Sequence, residues 1–221
     1  MNDKDILSMV DYTLLSPTAS LSKYKQFCEE AKEKGITHVV VPPIYVNQLK
    51  EMNRSLVFST ILDYPYGFSK LGDAISTMKS IKADEFAVVV NYNNIISNKW
   101  IATEESLSGI RAATSKPLKV FINTDYLNRK QLKDFAKLLK KYDIDYAELY
   151  NDKIVTMQDI DMFKDYVKVK VTDSRYNRND IEELAYAGVR RFGLTDISEI
   201  TDDTKIYVRK EKNEKEEKNY F

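Results

Sequence analysis

The sequence predicts an α/β protein whose eight strands close into a (β/α)8 barrel, the TIM-barrel fold. Short apolar runs rich in β-branched residues alternate with longer amphipathic segments, which indicates parallel strands joined by crossover helices. The count of eight strand-like runs favours a closed barrel over an open doubly wound sheet. The early strands are also not followed by a G-x-G-x-x-G turn, which is typical of doubly wound nucleotide-binding sheets.

Each predicted strand is a short apolar run bounded by polar or turn-forming residues. The runs are Asp11–Leu15, His38–Val41, Leu56–Leu62, Glu85–Val90, Leu118–Ile122, Tyr146–Leu149, Val167–Val171 and Arg191–Leu194. The predicted helices have apolar residues spaced about 3.6 residues apart, and the first and last end near Gly35 and Gly188. They are Leu21–Lys34, Asp73–Lys82, Glu104–Ala113, Arg129–Lys141, Met157–Lys164 and Asn179–Ala187.

One domain accounts for most of the chain. A length of 221 residues suits a single barrel, and the 43% of hydrophobic residues supply a substantial core. We therefore assign residues 1–205 to the barrel. Residues 206–221 are rich in Lys and Glu and lack an apolar stripe, so we predict a frayed helix or a disordered tail there.

The composition argues against several classes of partner. The 34 basic and 34 acidic residues balance, so we expect no nucleic-acid partner and no binding to an anionic membrane. Because the chain has one cysteine, Cys28, and one histidine, His38, we expect no disulfide framework and no structural zinc site. We also predict no other bound metal and no cofactor. The acidic start and the lack of an apolar stretch of about 20 residues predict a cytoplasmic protein without a membrane span. The sequence leaves open whether the protein binds a small molecule and whether it assembles as a homodimer.

The chemistry of such a barrel lies at the carboxyl ends of its strands. Short motifs occur near these strand ends, and one further motif lies in the helix that follows the first strand. They are D-x-T-L-L at Asp11–Leu15, C-E-E-A-K-x-x-G over Cys28–Gly35, P-x-Y-V at Pro43–Val46, P-x-G at Pro65–Gly67 and L-K-V-x-I-x-T at Leu118–Thr124. Over about residues 8–200 the chain resembles deoxyribose-phosphate aldolase, a class I aldolase built on a (β/α) barrel. The segment Val41–Val46 is taken as the end of the second strand, with Pro42 in place of the family's Asn.

The resemblance implies a reversible aldol reaction that joins acetaldehyde and glyceraldehyde 3-phosphate into 2-deoxyribose 5-phosphate. In the family, a lysine late in the sixth strand forms the Schiff base, a lysine in the seventh strand lowers its pKa, and an aspartate in the fourth strand relays protons. Glycines after the seventh and eighth strands hold the phosphate through backbone N–H groups. The candidate residues here are Lys170, Glu148 and Asp11 for catalysis, and Thr13, Asn123, Asn151, Asp173, Ser174, Gly193 and Asp196 for substrate binding.

The sequence departs from the family pattern at residues that the reaction needs. Glu148 stands where the Schiff-base lysine belongs and Ala87 where the relay aspartate belongs, whereas Lys170 is kept. After the seventh strand, Thr172–Ser174 replaces the glycine pair. After the eighth strand, one glycine is kept and an acid, Asp196, is added.

These departures change the electrostatics of the mouth. A free lysine with a pKa near 10.4 has roughly 0.04% of its amine unprotonated at pH 7. A carboxylate at position 148 would stabilise the ammonium form further, so we predict an ion pair between Lys170 and Glu148. Asp173 and Asp196 would repel a phosphate, an effect that Arg175 could partly offset.

The role of each candidate has an alternative. Lys170 is either a remnant catalytic amine or a barrel-interior lysine, and Glu148 is either a general base or the ion-pair partner of Lys170. Asp11 either contacts substrate or Lys170, or is a buried residue that seats the first strand. Asp11, Glu148, Asp173 and Asp196 could hold a divalent cation through oxygen ligands, although a solvated acidic rim is more common.

Three functions therefore stay open for the whole chain. The first is a diverged family member, impaired in the aldol reaction, whose barrel binds a small molecule or partner. The second is an active aldolase or lyase that uses Lys170 as a relocated nucleophile. The third is a structural or interaction protein that retains only the fold. We prefer the first, because the nucleophile, the relay acid and the phosphate-binding glycines are lost together.

Overall fold

The computed structural model describes residues 1–173, 175–198 and 200 of the chain. Eight parallel strands, β1 to β8 in chain order, form a closed barrel in which β8 pairs with β1. The strands are β1 Val10–Thr13, β2 His38–Val40, β3 Val57–Leu62, β4 Glu85–Val89, β5 Leu118–Asn123, β6 Tyr146–Tyr150, β7 Lys168–Thr172 and β8 Val189–Leu194. The predicted (β/α)8 barrel is confirmed. The predicted domain end at residue 205 and the charged segment 206–221 lie outside the described residues.

Helices follow the strands around the outside of the barrel. They are α1 Asp3–Ser8, α2 Leu21–Glu33, α3 Pro43–Met52, α4 Leu71–Ser80, α5 Tyr92–Ile96, α6 Trp100–Ala113, α7 Arg129–Lys141, α8 Met157–Phe163 and α9 Arg178–Ala187, with a 3-10 turn at Thr124–Tyr126. Several begin with a capping box, as in α7, where Asn128 and Gln131 exchange side-chain and backbone hydrogen bonds. No described helix is long and apolar enough to cross a membrane.

One predicted strand end is wrong. Val41–Val46 does not continue β2, which ends at Val40, because α3 begins at Pro43. Proline suits the first turn of a helix, where its missing N–H has no partner to lose and its fixed φ is already helical. Two adjacent prolines therefore end the strand and start the next helix.

Alternate residues of each strand face opposite sides of the barrel wall. The outward residues pack against the helices, as Tyr12 does by stacking on Phe27 of α2 with ring centroids 4.3 Å apart. The apolar core thus lies between the barrel and its helices. The inward side chains include six charged groups, and these build the site.

Candidate functional site

Six buried ionic side chains fill much of the barrel interior, and we call them the interior network. Three are acidic and three are basic: Asp11, Glu85, Glu148, Lys119, Lys170 and Arg191. They project inward from β1, β4, β6, β5, β7 and β8, respectively. Since buried ions are tolerated only with compensating partners, the equal numbers of the two signs are what such an interior requires.

Asp11 lies at the centre of this network and is completely buried. Its Oδ2 lies 3.0 Å from Lys119 Nζ and 2.8 Å from Lys170 Nζ, and its Oδ1 forms an ion pair with Arg191. Burial alone would raise the pKa of Asp11, but the charges of these three cations hold it well below its usual range. The carboxylate is therefore ionised and forms ion pairs with three cations.

Glu85 closes the network towards the start of the strands. It accepts hydrogen bonds from Lys119 Nζ at 2.6 Å and from Arg191 Nη1 at 2.8 and 2.9 Å. Burial opposes ionisation of Glu85, but the charges of Lys119 and Arg191 prevail and lower its pKa. His38 Nε2 lies 3.9 Å from Glu85, and burial followed by the charge of Arg191 lowers the pKa of His38. His38 thus belongs to the opposite end of the barrel from the mouth.

The predicted ion pair between Lys170 and Glu148 is present. The two residues are register partners on adjacent strands, and Lys170 Nζ lies 2.7 Å from Glu148 Oε1. Burial alone would lower the pKa of Lys170, but the charges of Asp11 and Glu148 outweigh it and raise the pKa above its ordinary value. Lys170 is therefore an ammonium ion held between two carboxylates.

Gly193 and Thr172 complete the surroundings of Glu148. The Thr172 hydroxyl donates to Glu148 Oε1 at 2.8 Å. A Cβ on Gly193, which lies beside Thr172 on the neighbouring strand, would stand only 2.4 Å from that hydroxyl oxygen. Glycine at this position makes room for the threonine that orients Glu148.

Above the interior network, a cavity of about 590 Å³ opens at the carboxyl ends of the strands. Its lining includes three aromatic rings, of which Phe121 stacks on Tyr150 and meets Tyr64 edge-on, with both centroid distances 5.7 Å. Its polar lining comprises Thr13, Ser16, Glu148, Asn151, Asp152, Thr172, Asp173, Arg175 and Thr195. We call this space the mouth cavity.

The structure brings only some of the predicted site residues to the mouth cavity. Thr13, Glu148, Asn151 and Asp173 line it. Asn123 lines a smaller cavity of about 210 Å³ that shares Tyr64, Phe121, Tyr150 and Asp152 with the first.

The other predicted site residues lie elsewhere. Asp11 and Lys170 belong to the interior network and are not among the residues that line the mouth cavity. Gly193 is buried next to Thr172. Asp196 is exposed and also lies outside the described lining, while Ser174 falls outside the described residues.

Asp173 and Asp196 do not form the acidic pair that we expected to face a phosphate. Asp173 lines the cavity, but Arg175 Nε donates to its two oxygens at 2.8 and 3.0 Å, and Arg175 Nη2 contacts it as well. Asp196 accepts a hydrogen bond from the backbone of Ser198 instead. Within the described part of the chain, no three Asp, Glu, His or Cys side chains form a cluster that could hold a metal ion.

Sequence reasoning missed half of the interior network: Glu85, Lys119 and Arg191. A signal was available, because strands of an all-parallel barrel are buried on both faces and normally carry apolar residues throughout. A charged residue within such a run, as Lys119 in Leu118–Asn123, therefore indicates a buried ionic partner on another strand.

Comparisons with known proteins agree with this architecture. No family model matches the chain. The chain is 29% identical over 201 residues to the deoxyribose-phosphate aldolase of Treponema denticola, a match that covers 84% of this chain and 93% of the relative. It is 27% identical over 218 residues to the deoxyribose-phosphate aldolase of Clostridioides difficile, covering 92% of this chain and all of the relative (100%).

Solved structures show the same fold. An aldolase described as QR15 superposes with a TM-score of 0.81 at 22% identity, covering 93% of this chain and 97% of that one. A deoxyribose phosphate aldolase from Aeropyrum pernix, described as having a unique tetrameric structure, gives a TM-score of 0.80 at 20% identity and covers 93% of each chain. The relatives match along most of their length, and the solved structures superpose on most of this chain. The chain is therefore similar to deoxyribose-phosphate aldolases along most of its length, and it has the barrel fold of the solved aldolase structures.

Proposed function

We propose that this chain is a diverged deoxyribose-phosphate aldolase that binds a small molecule in the mouth cavity without forming a Schiff base. It would then be impaired in the aldol reaction after which its relatives are named. The observation that carries the proposal is the placement of Lys170, whose ammonium group lies between the carboxylates of Asp11 and Glu148.

A Schiff base requires an amine with a free lone pair that a carbonyl can reach. Lys170 meets neither requirement, because two carboxylates stabilise its protonated form and it is only 1% exposed. At the position of the family's Schiff-base lysine, Glu148 offers a carboxylate. A carboxylate at that place accepts protons and hydrogen bonds but forms no imine.

The position of the family's proton relay is also occupied by a residue without acid–base chemistry. Ala87 is buried on β4, where its register partner is Lys119 of β5. The nearest acid on the same strand, Glu85, is engaged by Lys119 and Arg191. Since both groups hold Glu85 as a carboxylate, it is poorly suited to donate a proton to a bound substrate.

The mouth cavity itself supports binding. Its volume of about 590 Å³ lies within the range of roughly 300–1,000 Å³ usual for small-molecule sites. Its cation, Arg175, is already paired with Asp173, and Asp152 adds a carboxylate nearby. A phosphate dianion would therefore have to compete with Asp173 for Arg175, which disfavours a phosphorylated ligand.

Borohydride trapping with acetaldehyde, read by intact mass, tests the proposal. The wild-type protein should form no adduct, whereas Glu148→Lys should form one, because a pair of lysines depresses the pKa of each amine. Turnover of 2-deoxyribose 5-phosphate should stay low in Glu148→Lys, since Ala87 supplies no proton relay.

Lys170→Ala is the control that separates the remaining alternatives. A wild-type adduct that disappears in Lys170→Ala would overturn the proposal and establish Lys170 as a relocated nucleophile. No adduct in any of the three proteins would favour a barrel retained for binding or structure alone. Assembly as a homodimer is a separate question, which light scattering on the purified chain would answer.

A further inference from the structure

We infer that a second cavity, outside the barrel wall, binds a short aliphatic molecule with an uncharged polar head, such as a primary alcohol. We call this space the outer cavity. It has a volume of about 410 Å³ and lies between the end of β4 and the helices α4, α5 and α6. Its described lining shares no residue with that of the mouth cavity. The inference therefore goes beyond the proposed function and does not depend on it.

Aliphatic side chains form much of the wall of the outer cavity. Val88 faces it from the outer side of the barrel, because Glu85, three residues earlier on the same strand, faces inward. The aliphatic walls are Leu71, Ala74, Val88, Val90, Leu107 and Ile110. The volume lies within the range of roughly 300–1,000 Å³ usual for small-molecule sites, whereas a close-packed core leaves few voids larger than a water molecule. An aliphatic chain that fills this space is removed from water, which favours binding.

Close packing beside the outer cavity shows that the space does not come from loose packing of the whole region. Gly67, with a φ of +69°, lies so close to the end of β4 that an added Cβ would overlap the carbonyl oxygen of Val90. Gly109 lets α6 approach α4, since an added Cβ there would stand 2.9 Å from Leu71 Cδ2. Gly67, Val90 and Leu71 themselves line the cavity. Contacts without slack therefore hold its walls, and the open space is a defined feature of the fold.

Four polar residues of the lining are satisfied within the protein. The two carboxylate oxygens of Asp63 accept from the backbone N–H of Ser69 at 3.0 and 2.8 Å, and the Ser69 hydroxyl donates to one of them at 2.8 Å. The hydroxyls of Thr103 and Ser106 each donate to a backbone carbonyl one turn earlier in the chain, at 3.2 and 2.9 Å. The choice of head group is therefore left to the other polar residues of the lining.

Those residues are Lys70, Asn91 and Asn94, and a ligand can reach them. Lys70 and Asn91 are exposed, and Asn94 is half-buried. Asn91 is the N-cap of α5 but makes no side-chain capping hydrogen bond, and neither asparagine amide has a partner within the part of the chain that the structure describes. An amide offers both donors and an acceptor. The two amides therefore suit a head that also donates and accepts, as a hydroxyl group does.

The charges of the lining favour neither sign of ion. The described lining holds one acid, Asp63, and one base, Lys70, so it is neutral as a whole. A carboxylate head could pair with Lys70, but a pair with an exposed lysine contributes little because water competes for both ions. An ammonium head would meet Asp63, whose two oxygens Ser69 already engages. Since an ion loses more hydration than a hydroxyl group on entering a protein site, the uncharged head is the better match.

Three probes with six carbon atoms test the inference on the wild-type protein: hexan-1-ol, hexanoate and hexylammonium. In protein-observed NMR titrations at neutral pH, hexan-1-ol should bind about tenfold more tightly than either ion. Each methylene added between butan-1-ol and hexan-1-ol should raise the affinity about fourfold, because that methylene is removed from water. Binding of either ion as tightly as hexan-1-ol would overturn the choice of an uncharged head. An affinity that does not rise with chain length, or no binding of hexan-1-ol, would overturn the aliphatic ligand class.

Methyl signals in the same titration locate the bound alcohol. Hexan-1-ol should shift the signals of Leu71, Val88 and Leu107, which line the outer cavity. Unchanged signals for these three residues would overturn the assignment, whatever happens at Leu15 and Ile61 of the mouth cavity. The aldehyde-trapping experiment decides the proposed function separately, because an alcohol forms no imine.

Two serine variants of α6 provide a matched pair. Ser106 lines the outer cavity, whereas Ser108, two residues later on the same helix, is exposed and does not line it. Ser106→Leu should fill part of the cavity and weaken binding of hexan-1-ol about tenfold or more, whereas Ser108→Leu should leave the affinity unchanged. Equal affinities in the two folded variants would contradict binding in the outer cavity. The methyl signals of the wild-type protein decide the location even if Ser106→Leu fails to fold.

Discussion

At the scale of single residues, Asp11 shows how one carboxylate can determine the state of several cations. It is the shared partner of Lys119, Lys170 and Arg191. Asp11→Asn would leave three buried cations facing two carboxylates, Glu85 and Glu148. We expect a loss of about 3–5 kcal/mol in the free energy of unfolding, measured by urea denaturation, because breaking a buried ion pair leaves uncompensated charge.

The matched control for Asp11→Asn is a surface pair. Asp134 lies 2.8 Å from Lys137 on the exposed side of α7, and Asp134→Asn should cost less than about 1 kcal/mol. A similar cost for the two substitutions would show that the interior network contributes no more than a surface ion pair.

The depressed pKa of Asp11 also predicts how stability depends on pH. A carboxyl group with a lower pKa in the folded state than in the unfolded state stabilises the fold above its unfolded pKa, near 3.9, and loses that contribution as the pH falls further. Below about pH 3.9, the unfolding free energy of the wild type should therefore fall by up to about 1.4 kcal/mol per pH unit from Asp11 alone. Urea denaturation of Asp11→Asn over the same range should show a smaller slope, and an unchanged slope would contradict the role given to Asp11.

At the scale of elements, two glycines differ in the space that a side chain would have. Gly193 on β8 is closely packed, whereas Gly72 on α4 faces open space. Gly193→Ala on β8 would push a Cβ to 2.4 Å from Thr172 Oγ1 and disturb its hydrogen bond to Glu148, so we expect a loss of about 1–3 kcal/mol in unfolding free energy. A Cβ at Gly72 on α4 would meet no atom within 4 Å, and Gly72→Ala should be neutral or stabilise by up to about 1 kcal/mol. Urea denaturation measures both. A Gly193→Ala variant as stable as the wild type would show that Thr172 can move freely.

At the scale of the whole molecule, the apolar core and the charged interior occupy different layers. The apolar core lies between the strands and the helices, where the outward strand residues pack. The barrel interior instead holds the interior network. Buried ion pairs contribute little net stability compared with apolar packing, so this network is better explained by its effect on the mouth. It holds Lys170 as an ammonium ion and leaves Glu148 with one oxygen engaged and one vacant.

Much of the architecture and part of the site were predictable from the sequence. Hydrophobic periodicity is local, so it predicted most strand boundaries to within about two residues. For example, β6 begins at Tyr146 as predicted, and β7 begins one residue after the predicted Val167. The proximity of Glu148 and Lys170 was also predictable, because neighbouring strands of a barrel place inward residues side by side. Prolines that start a helix rather than extend a strand misled the interpretation at Val41–Val46.

The tertiary structure alone decided which of the inward residues meet. Lys119 and Asp11 are 108 residues apart in the chain, and Arg191 and Glu85 are 106 apart, so no local pattern relates them. Their contacts depend on how far the strands are staggered around the barrel and on how far each side chain reaches across it. The same holds for Asp173, which Arg175 engages, and for Asp196, which lies outside the mouth cavity. The sequence by itself thus determined the order and type of the elements, because periodicity and turn chemistry act over a few residues. Closure of the barrel decided the partners of each charge, because those partners come from strands that are distant in the chain.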